Sequence, residues 1–314
     1  TNRRDHTFLA IEEPEAHLHP HLQRSVYRRL FETALSEEDD RVLSIFLTTH
    51  SPHIASIAPL QSIVLLQDSG SGGTVAHSTV EAKLTANESE DIGRYLDVTR
   101  AEILFARGII LVEGDAEKFL LPVFAENMGY SFDQLGITVC SVAGTNFKPY
   151  AKFLTSLNIP FSIITDWDPS DGKKPLGYNR ALKLVEVIER LRTGASVKAL
   201  VAELKAIANY DDFGARCEEF GVFTNCHTLE VDLFNDGLKE QIVKTLKETK
   251  FSTRRLGLIE TWSKDEGTLD VEEYLKLFEV IGKGRFAQRL ASRLSGVDAP
   301  VYIKNAINYV ASRV

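Results

Sequence analysis

Two clusters of carboxylates lie about fifty residues apart in this 314-residue chain, and each closes a short apolar strand. The first is Ile109-Ile110-Leu111-Val112-Glu113-Gly114-Asp115-Ala116-Glu117; the second is Phe161-Ser162-Ile163-Ile164-Thr165-Asp166-Trp167-Asp168. In open α/β sheets the carboxyl ends of neighbouring parallel strands border one crevice, so acids placed there meet. Several carboxylates in one place repel one another unless a hard cation stands between them. The pattern therefore points to a divalent-metal site, and from there to metal-assisted phosphoryl chemistry.

Glu113 and Glu117 are four residues apart. With a turn at Gly114 and Asp115 capping the helix that follows, Glu117 projects from the first helical turn back toward the strand tip. Capping alone is a sufficient role for Asp115. Asp166 and Asp168 stand two apart at a strand end, so both can face one side. Together these acids could hold one or two Mg²⁺ or Mn²⁺ ions, which favour carboxylate and water oxygen. Two ions about 4 Å apart would clamp the attacking and the leaving oxygen of a phosphodiester. Ala143-Gly144-Thr145-Asn146 follows a further strand and opens a helix. It either leaves backbone amides free for an anion or forms a plain β–α turn capped by Thr145 or Asn146. Trp167 either packs on the sheet or stacks on a base.

These groups need a scaffold, and from Gly108 the chain supplies a β–α alternation. Strand 109–113 leads into helix 115–128, strand 137–141 into helix 146–157, and strand 161–166 ends at the second acidic cluster. A polar loop with Pro169, Gly172, Pro175 and Gly177 precedes helices at 179–192 and 197–208. A fourth strand, 221–226, runs into Thr228-Leu229-Glu230, and from Leu238 the pattern is mainly helical. Upstream, Thr7-Phe8-Leu9-Ala10-Ile11 is a strand that runs at once into Glu12-Glu13-Pro14-Glu15, followed by a helix at 21–34 and a strand from Ser44 to His50. A strand at 62–67, a Gly/Ser turn at 69–73 and a hairpin partner at 74–79 come next, then a helix at 91–104. A domain that opens on a core strand implies that the chain is the C-terminal part of something longer.

Composition narrows the classes. Apolar residues make up 44% and charged residues 25%, ordinary for a globular protein of two or three domains. No apolar run reaches the roughly 18 residues of a membrane span, and no secretory signal opens the chain. The three cysteines, Cys140, Cys217 and Cys226, are few, odd in number and without metal-ligand spacing, which argues for a reducing cytoplasm and against disulfides or zinc. The net charge of -8 weighs mildly against nucleic acid, unless many of the acids bind metal.

Phe8-Leu9-Ala10-Ile11-Glu12-Glu13-Pro14 has the form of a Walker B strand. Its first acid suits Mg²⁺, and its second suits the water that attacks a γ-phosphate. The alternative for Glu12 and Glu13 is a solvated strand end. His50, at the end of the next strand, is placed to sense that phosphate. The segment resembles the C-terminal half of an ABC-type ATPase head. Glu12-Glu13-Pro14-Glu15-Ala16-His17-Leu18-His19-Pro20 is similar to the Walker B and D-loop of OLD-type and recombination-type ATPases, and Thr48-Thr49-His50-Ser51-Pro52 to their switch histidine. No Gly-x4-Gly-Lys-Ser/Thr phosphate loop is present, so ATP belongs only to a longer protein. His17, His19 and His21 flank a helix start without partners at ligand spacing, which argues against a metal there.

Leu111-Val112-Glu113-Gly114 with Asp166-Trp167-Asp168 resembles the Toprim signature of topoisomerases, primases and certain nucleases. The longer Glu113-Gly114-Asp115-Ala116-Glu117 is similar to the OLD (overcoming lysogenization defect) nuclease family, in which an ABC ATPase precedes a Toprim domain. The resemblance covers roughly residues 5–235, and the tail more loosely. It implies an α/β chain: the end of an ABC ATPase over 1–105, a Toprim domain with a Rossmann-like parallel sheet flanked by helices over 106–235, and a helical segment over 236–314. It further implies metal-dependent cleavage of DNA and self-association as a homodimer or higher oligomer. By the same resemblance, Glu230 matches an additional metal-site carboxylate, and Lys283 in Gly282-Lys283-Gly284-Arg285-Phe286-Ala287 matches a C-terminal lysine motif. Lys283 would stabilise negative charge developing at the scissile phosphate. Read from the residues alone, Glu230 is as well a solvated acid and Lys283 a surface lysine in a glycine loop, with Lys304 a weaker candidate.

The expected function is a two-metal DNA endonuclease, with Glu113, Glu117, Asp166, Asp168 and Glu230 holding the ions, Lys283 assisting and water as nucleophile. A topoisomerase would need a tyrosine, and none here stands in a recognisable motif. Two rivals remain: a repair or recombination ATPase whose Toprim domain only binds DNA, and a dimerisation module whose acids hold a structural cation.

Overall fold

In the computed structural model, residues 6–36, 42–70, 72–96, 101–170, 172–264 and 269–314 are described, the side chains of His17, Val42 and Tyr95 excepted. The chain folds as two units, one of residues up to 106 with 152–158, the other of 107–151 with 159–314.

In the first unit β1 (His6–Glu12) and β2 (Val42–Thr48) pair in parallel, Phe8 opposite Ser44 and Glu12 opposite Thr48. Parallel neighbours need a crossover, and α1 (Pro20–Leu35) supplies it. A separate antiparallel hairpin joins β3 (Val64–Asp68) to β4 (Thr74–Ser78). The expected helix at 91–104 is displaced. A capping box between Thr85 and Glu88 starts α2 (Ala86–Tyr95) five residues early, a single turn forms at Glu102–Leu104, and residues 97–100 lie outside the described ones.

The second unit contains β5 (Gly108–Val112), α3 (Asp115–Asn127), β6 (Ile137–Ser141), the first half of α4 (Phe147–Ser156, of which residues 152–156 fall to the first unit), β7 (Phe161–Thr165), α5 (Leu176–Thr193), α6 (Lys198–Ala206), α7 (Tyr210–Glu218) and β8 (Val222–Thr224). The strands form one parallel sheet in the order β6-β5-β7-β8. Every residue of β5 and of β7 is buried, as the largely apolar strands of a sheet covered on both faces require. Because β5 and β7 are neighbours, their carboxyl ends open side by side.

The helical remainder is α8 (Leu229–Leu233), α9 (Lys239–Lys247), α10 (Thr253–Ser263), α11 (Val271–Ile281), α12 (Lys283–Ala291) and α13 (Val301–Ala311). One apolar cluster runs from Ile110 and Val112 through Leu120 and Phe124 to Tyr274, Phe278, Phe286, Ile303 and Ile307, so the tail shares the core of the sheet. α13 lies close against β5: a Cβ on Gly108 would stand 2.5 Å from a methyl of Val310. No helix of the described residues is long and apolar enough to cross a membrane, and the three cysteines are free.

Candidate metal centre

β5 delivers Glu113 to the rim of the sheet. Its Oε1 accepts from Thr165 Oγ1 (2.5 Å), the Asp166 amide (3.0 Å) and Arg180 Nη1 (2.7 Å). The expected turn follows with one change. Gly114 is the cap residue in extended conformation, and Asp115 is the first, exposed residue of α3 without a capping bond. The extended backbone that a cap needs is already met by glycine. Glu117, in the first turn of α3, is 6% exposed. Burial first, then the charges of Asp166, Glu230 and Glu113, push its carboxyl up to about 8.

β7 ends at Thr165, so strand alternation does not reach Asp168. Asp168 adopts φ 49° instead, with its amide bound to the His227 carbonyl at 3.1 Å and its Oδ2 to Arg180 Nη2 at 2.9 Å. Asp166 Oδ1 accepts from Asn225 Nδ2 (2.6 Å) and the Leu229 amide (3.1 Å). Burial, with the charges of Glu113, Glu230 and Asp168 added and the Asn225 bond opposing, pushes Asp166 up to about 7.

Glu230 sits on the short helix α8 and is 2% exposed, which disposes of the solvated-acid alternative. Tyr274 Oη donates to its carbonyl at 3.0 Å. Its Oε2 meets Lys283 Nζ at 3.1 Å, and its Oε1 is buried without a partner. The glycine loop expected around Lys283 is instead a helix start. Gly282 caps α12, and a Cβ on Gly284 would stand 3.6 Å from Asp115 Cβ. A cation in the first turn opposes the helix dipole, so Lys283 is not there for the helix. Burial alone would lower its ammonium pKa; the charges of Glu230, Asp166 and Glu117 reverse that and raise it. Lys304 pairs with the exposed Asp298 at 3.1 Å.

Other expectations resolve locally. The amides of Ala143 and Gly144 are taken by Ser141 Oγ and the Glu113 carbonyl, so those two are not offered to an anion. Trp167 packs, edge-on to Tyr178 and Tyr210. Arg180, Thr165 and Asn225 were not singled out from the sequence, yet they bind the acids most directly. Arg180 reaches them because α5 begins against the backbone of Trp167. A Cβ on Gly177 would lie 2.5 Å from the Asp166 carbonyl oxygen and 2.7 Å from Trp167 Cα. Gly177→Ala should therefore cost about 1–3 kcal/mol by overpacking, read as a lowered melting temperature; an unchanged melt would refute it.

Among the described residues no three His, Cys, Asp or Glu side chains are drawn into coordinating geometry. The donor set nonetheless fits a hard divalent cation: all-oxygen ligands, two of them buried and the rest half-buried, one oxygen unpartnered. The protons held by Glu117 and Asp166 set a pH dependence. Their ordinary values are 4.5 and 3.8, so in the unfolded chain they ionise first, while the folded metal-free protein keeps the protons to about 8 and about 7. Stability is thus lost as pH rises through that window, by an amount on the order of a few kcal/mol. A cation displaces the same protons. Mn²⁺ should therefore raise the melting temperature more at about pH 9 than at about pH 6. Equal shifts at both would count against these carboxyls as ligands.

In the first unit Glu12 ends β1 and is exposed. Glu13 (φ 45°) places Oε1 3.2 Å from His50 Nε2, and the His50 amide donates to Glu15 Oε1 at 2.6 Å. Burial would raise the Glu15 carboxyl pKa, but hydrogen bonds from backbone amides and Thr49 outweigh it and lower it. Gln23, buried, accepts from Ser51 Oγ (2.7 Å) and donates to the Leu18 carbonyl (2.9 Å), tying the two motifs together. His19 caps α1 through Nδ1 to the His21 amide, a structural use; the His17 side chain lies outside the described residues.

Comparison with known proteins places both units. Residues 104–168 match the family described as overcoming lysogenization defect protein-like, TOPRIM domain, and residues 1–55 an AAA ATPase domain. The endonuclease GajA of Bacillus cereus (strain VD045) is 30% identical over 187 residues, 56% of this chain and 30% of that protein. The OLD nuclease of Thermus scotoductus is 29% identical over 165 residues, 51% of this chain and 30% of its own. The chain thus spans about 30% of the length of these curated relatives. Among solved structures, the C-terminal region of the Xanthomonas campestris pv. campestris OLD protein is 40% identical, with a TM-score of 0.57, covering 67% of this chain and 95% of that one. The C-terminal region of the Burkholderia pseudomallei OLD protein is 43% identical, with a TM-score of 0.56, over 66% of this chain and 98% of that one. With that identity and coverage, the chain belongs to the OLD family.

Proposed function

We propose that this chain carries the nuclease end of an OLD-type protein and hydrolyses DNA phosphodiesters with divalent metal at the rim of β5 and β7. The observation that carries the proposal is the burial of Glu117 and Glu230 beside the half-buried Asp166, with Lys283 set against Glu230. Uncompensated acids are costly to bury, and structures retain them where a cation is to be held. Glu113, Glu117, Asp166, Asp168 and Glu230 would hold Mg²⁺ or Mn²⁺, the number of acids sufficing for two ions. When bound, such ions supply Lewis-acid activation and neutralise charge on the attacking and leaving oxygens. Asp166 is held by Asn225 and the Leu229 amide, so its carboxylate cannot swing away. Lys283 Nζ would move its hydrogen bond from Glu230 to the phosphate oxygen that gains charge.

Nicking of supercoiled plasmid should require Mg²⁺ or Mn²⁺ and stop with EDTA. Activity surviving in EDTA would overturn the proposal. In the first unit Glu13 Oε1 lies 3.2 Å from His50 Nε2, and the sequence has no phosphate loop. This chain should therefore cut DNA without ATP and release no measurable phosphate from it. Steady phosphate release removed by Glu13→Gln would contradict that. Three free cysteines fit a reducing compartment.

A further inference from the structure

We propose that Arg180 is the positioning residue of the metal centre: a fixed internal cation whose fork holds one oxygen each of Glu113 and Asp168 and so aims the other oxygen of each at the metal. The proposal rests on the metal-site reading above. Arg180 Nη1 donates to Glu113 Oε1 (2.7 Å), Thr165 Oγ1 (2.6 Å) and the Asp166 carbonyl (3.0 Å), and Nη2 donates to Asp168 Oδ2 (2.9 Å). Nη1 has two hydrogens for three acceptors, so that arm of the guanidinium is fully engaged by protein. Its side chain is 15% exposed, and each described bond ends on the two strand tips. It is thus committed to the acids rather than held for substrate.

The geometry explains two oddities. Asp168 holds a left-handed backbone, uncommon for residues other than glycine though tolerated by Asp, and such conformations persist where the surroundings over-determine them. Arg180 supplies one restraint and the His227 carbonyl another. Arg180 also spans Glu113 and Asp168, on different strand tips, which a single ammonium cannot do with the same fixed geometry. Partners that orient metal ligands commonly contribute roughly 10–100-fold to metal affinity.

The test is Mn²⁺ binding by calorimetry to the DNA-free chain, for wild type, Arg180→Ala and Arg180→Lys, with a metal-free melt to establish folding. Both variants should bind Mn²⁺ roughly 10–100-fold more weakly. In plasmid nicking, the Mn²⁺ concentration for half-maximal rate should rise while the rate at saturating Mn²⁺ stays within a few-fold of wild type. A role confined to stability would lower the melt without moving the metal requirement. Should Arg180→Ala fail to fold, Arg180→Lys decides, since it keeps the charge and loses the fork. Unchanged affinity in Arg180→Lys, or tighter binding in Arg180→Ala, overturns the proposal, the second outcome showing Arg180 to be a competing cation. A wild-type chain that binds no Mn²⁺ overturns the metal reading and this proposal with it. Wild-type binding with unaltered variants overturns only this one.

Discussion

Asp166→Asn should reduce metal-dependent plasmid nicking by more than about a hundredfold and, with metal absent, raise the melting temperature. The first effect follows from the place of Asp166 at the centre of the acids. Loss of groups that merely orient a ligand commonly costs roughly 10–100-fold, so loss of a ligand's charge should cost more. The second effect follows from burial. The Asp166 carboxyl is pushed up to about 7, chiefly by desolvation and then by Glu113, Glu230 and Asp168, so its charged form destabilises the metal-free fold at neutral pH. An amide keeps an oxygen for Asn225 and the Leu229 amide. It removes the charge and offers a donor to the neighbouring acids. A site built for a cation should thus gain stability as it loses function. Wild-type cleavage by the variant would remove Asp166 from the chemistry. A melting temperature that falls by several degrees would show that its contacts outweigh the repulsion.

Lys283→Ala should slow cleavage by about a hundredfold, on the order of 3 kcal/mol of transition-state stabilisation, while leaving plasmid binding in a gel shift and Mn²⁺ binding largely intact. The structure adds a second readout. Lys283 is the described partner of Glu230 Oε2, and Glu230 Oε1 has none. Without the lysine a carboxylate 2% exposed loses its counter-charge, so the metal-free melt should fall. Saturating Mn²⁺ should restore most of the difference, because the ion replaces the missing charge. Lys304→Ala should behave as wild type, its pairing with the exposed Asp298 contributing under about 1 kcal/mol. A dead Lys304→Ala beside a normal Lys283→Ala would reverse the assignment of the lysines. Normal cleavage by both would leave the carboxylates to act alone.

What was legible in the sequence is what local physics dictates. The run 109–112 is apolar without interruption and 161–165 mostly so, because their strands are covered on both faces, and that pattern survives translation into structure almost residue for residue. The acids follow, since a strand delivers its next residue to the rim, and Glu113, Glu117, Asp166, Asp168 and Glu230 all belong to the second unit. Local signals were also misread. The cap at Thr85 starts a helix that hydrophobic pattern alone placed later, and Gly282-Lys283-Gly284 looks like a loop although it begins α12. Arg180 had a faint trace in the sequence. It falls between Gly177 and Leu184, both buried, on the inner stripe of α5, where an arginine needs a partner. Its partners, however, lie 12 and 67 residues away in sequence. Only the tertiary structure decided that Arg180, Asn225 and Lys283 meet the acids, that Asp168 turns left-handed to do so, and that the helical tail closes the core beneath them. The physical reason is that a strand or helix is specified by neighbours within a few residues, whereas a buried charge is specified by whatever the fold brings opposite it.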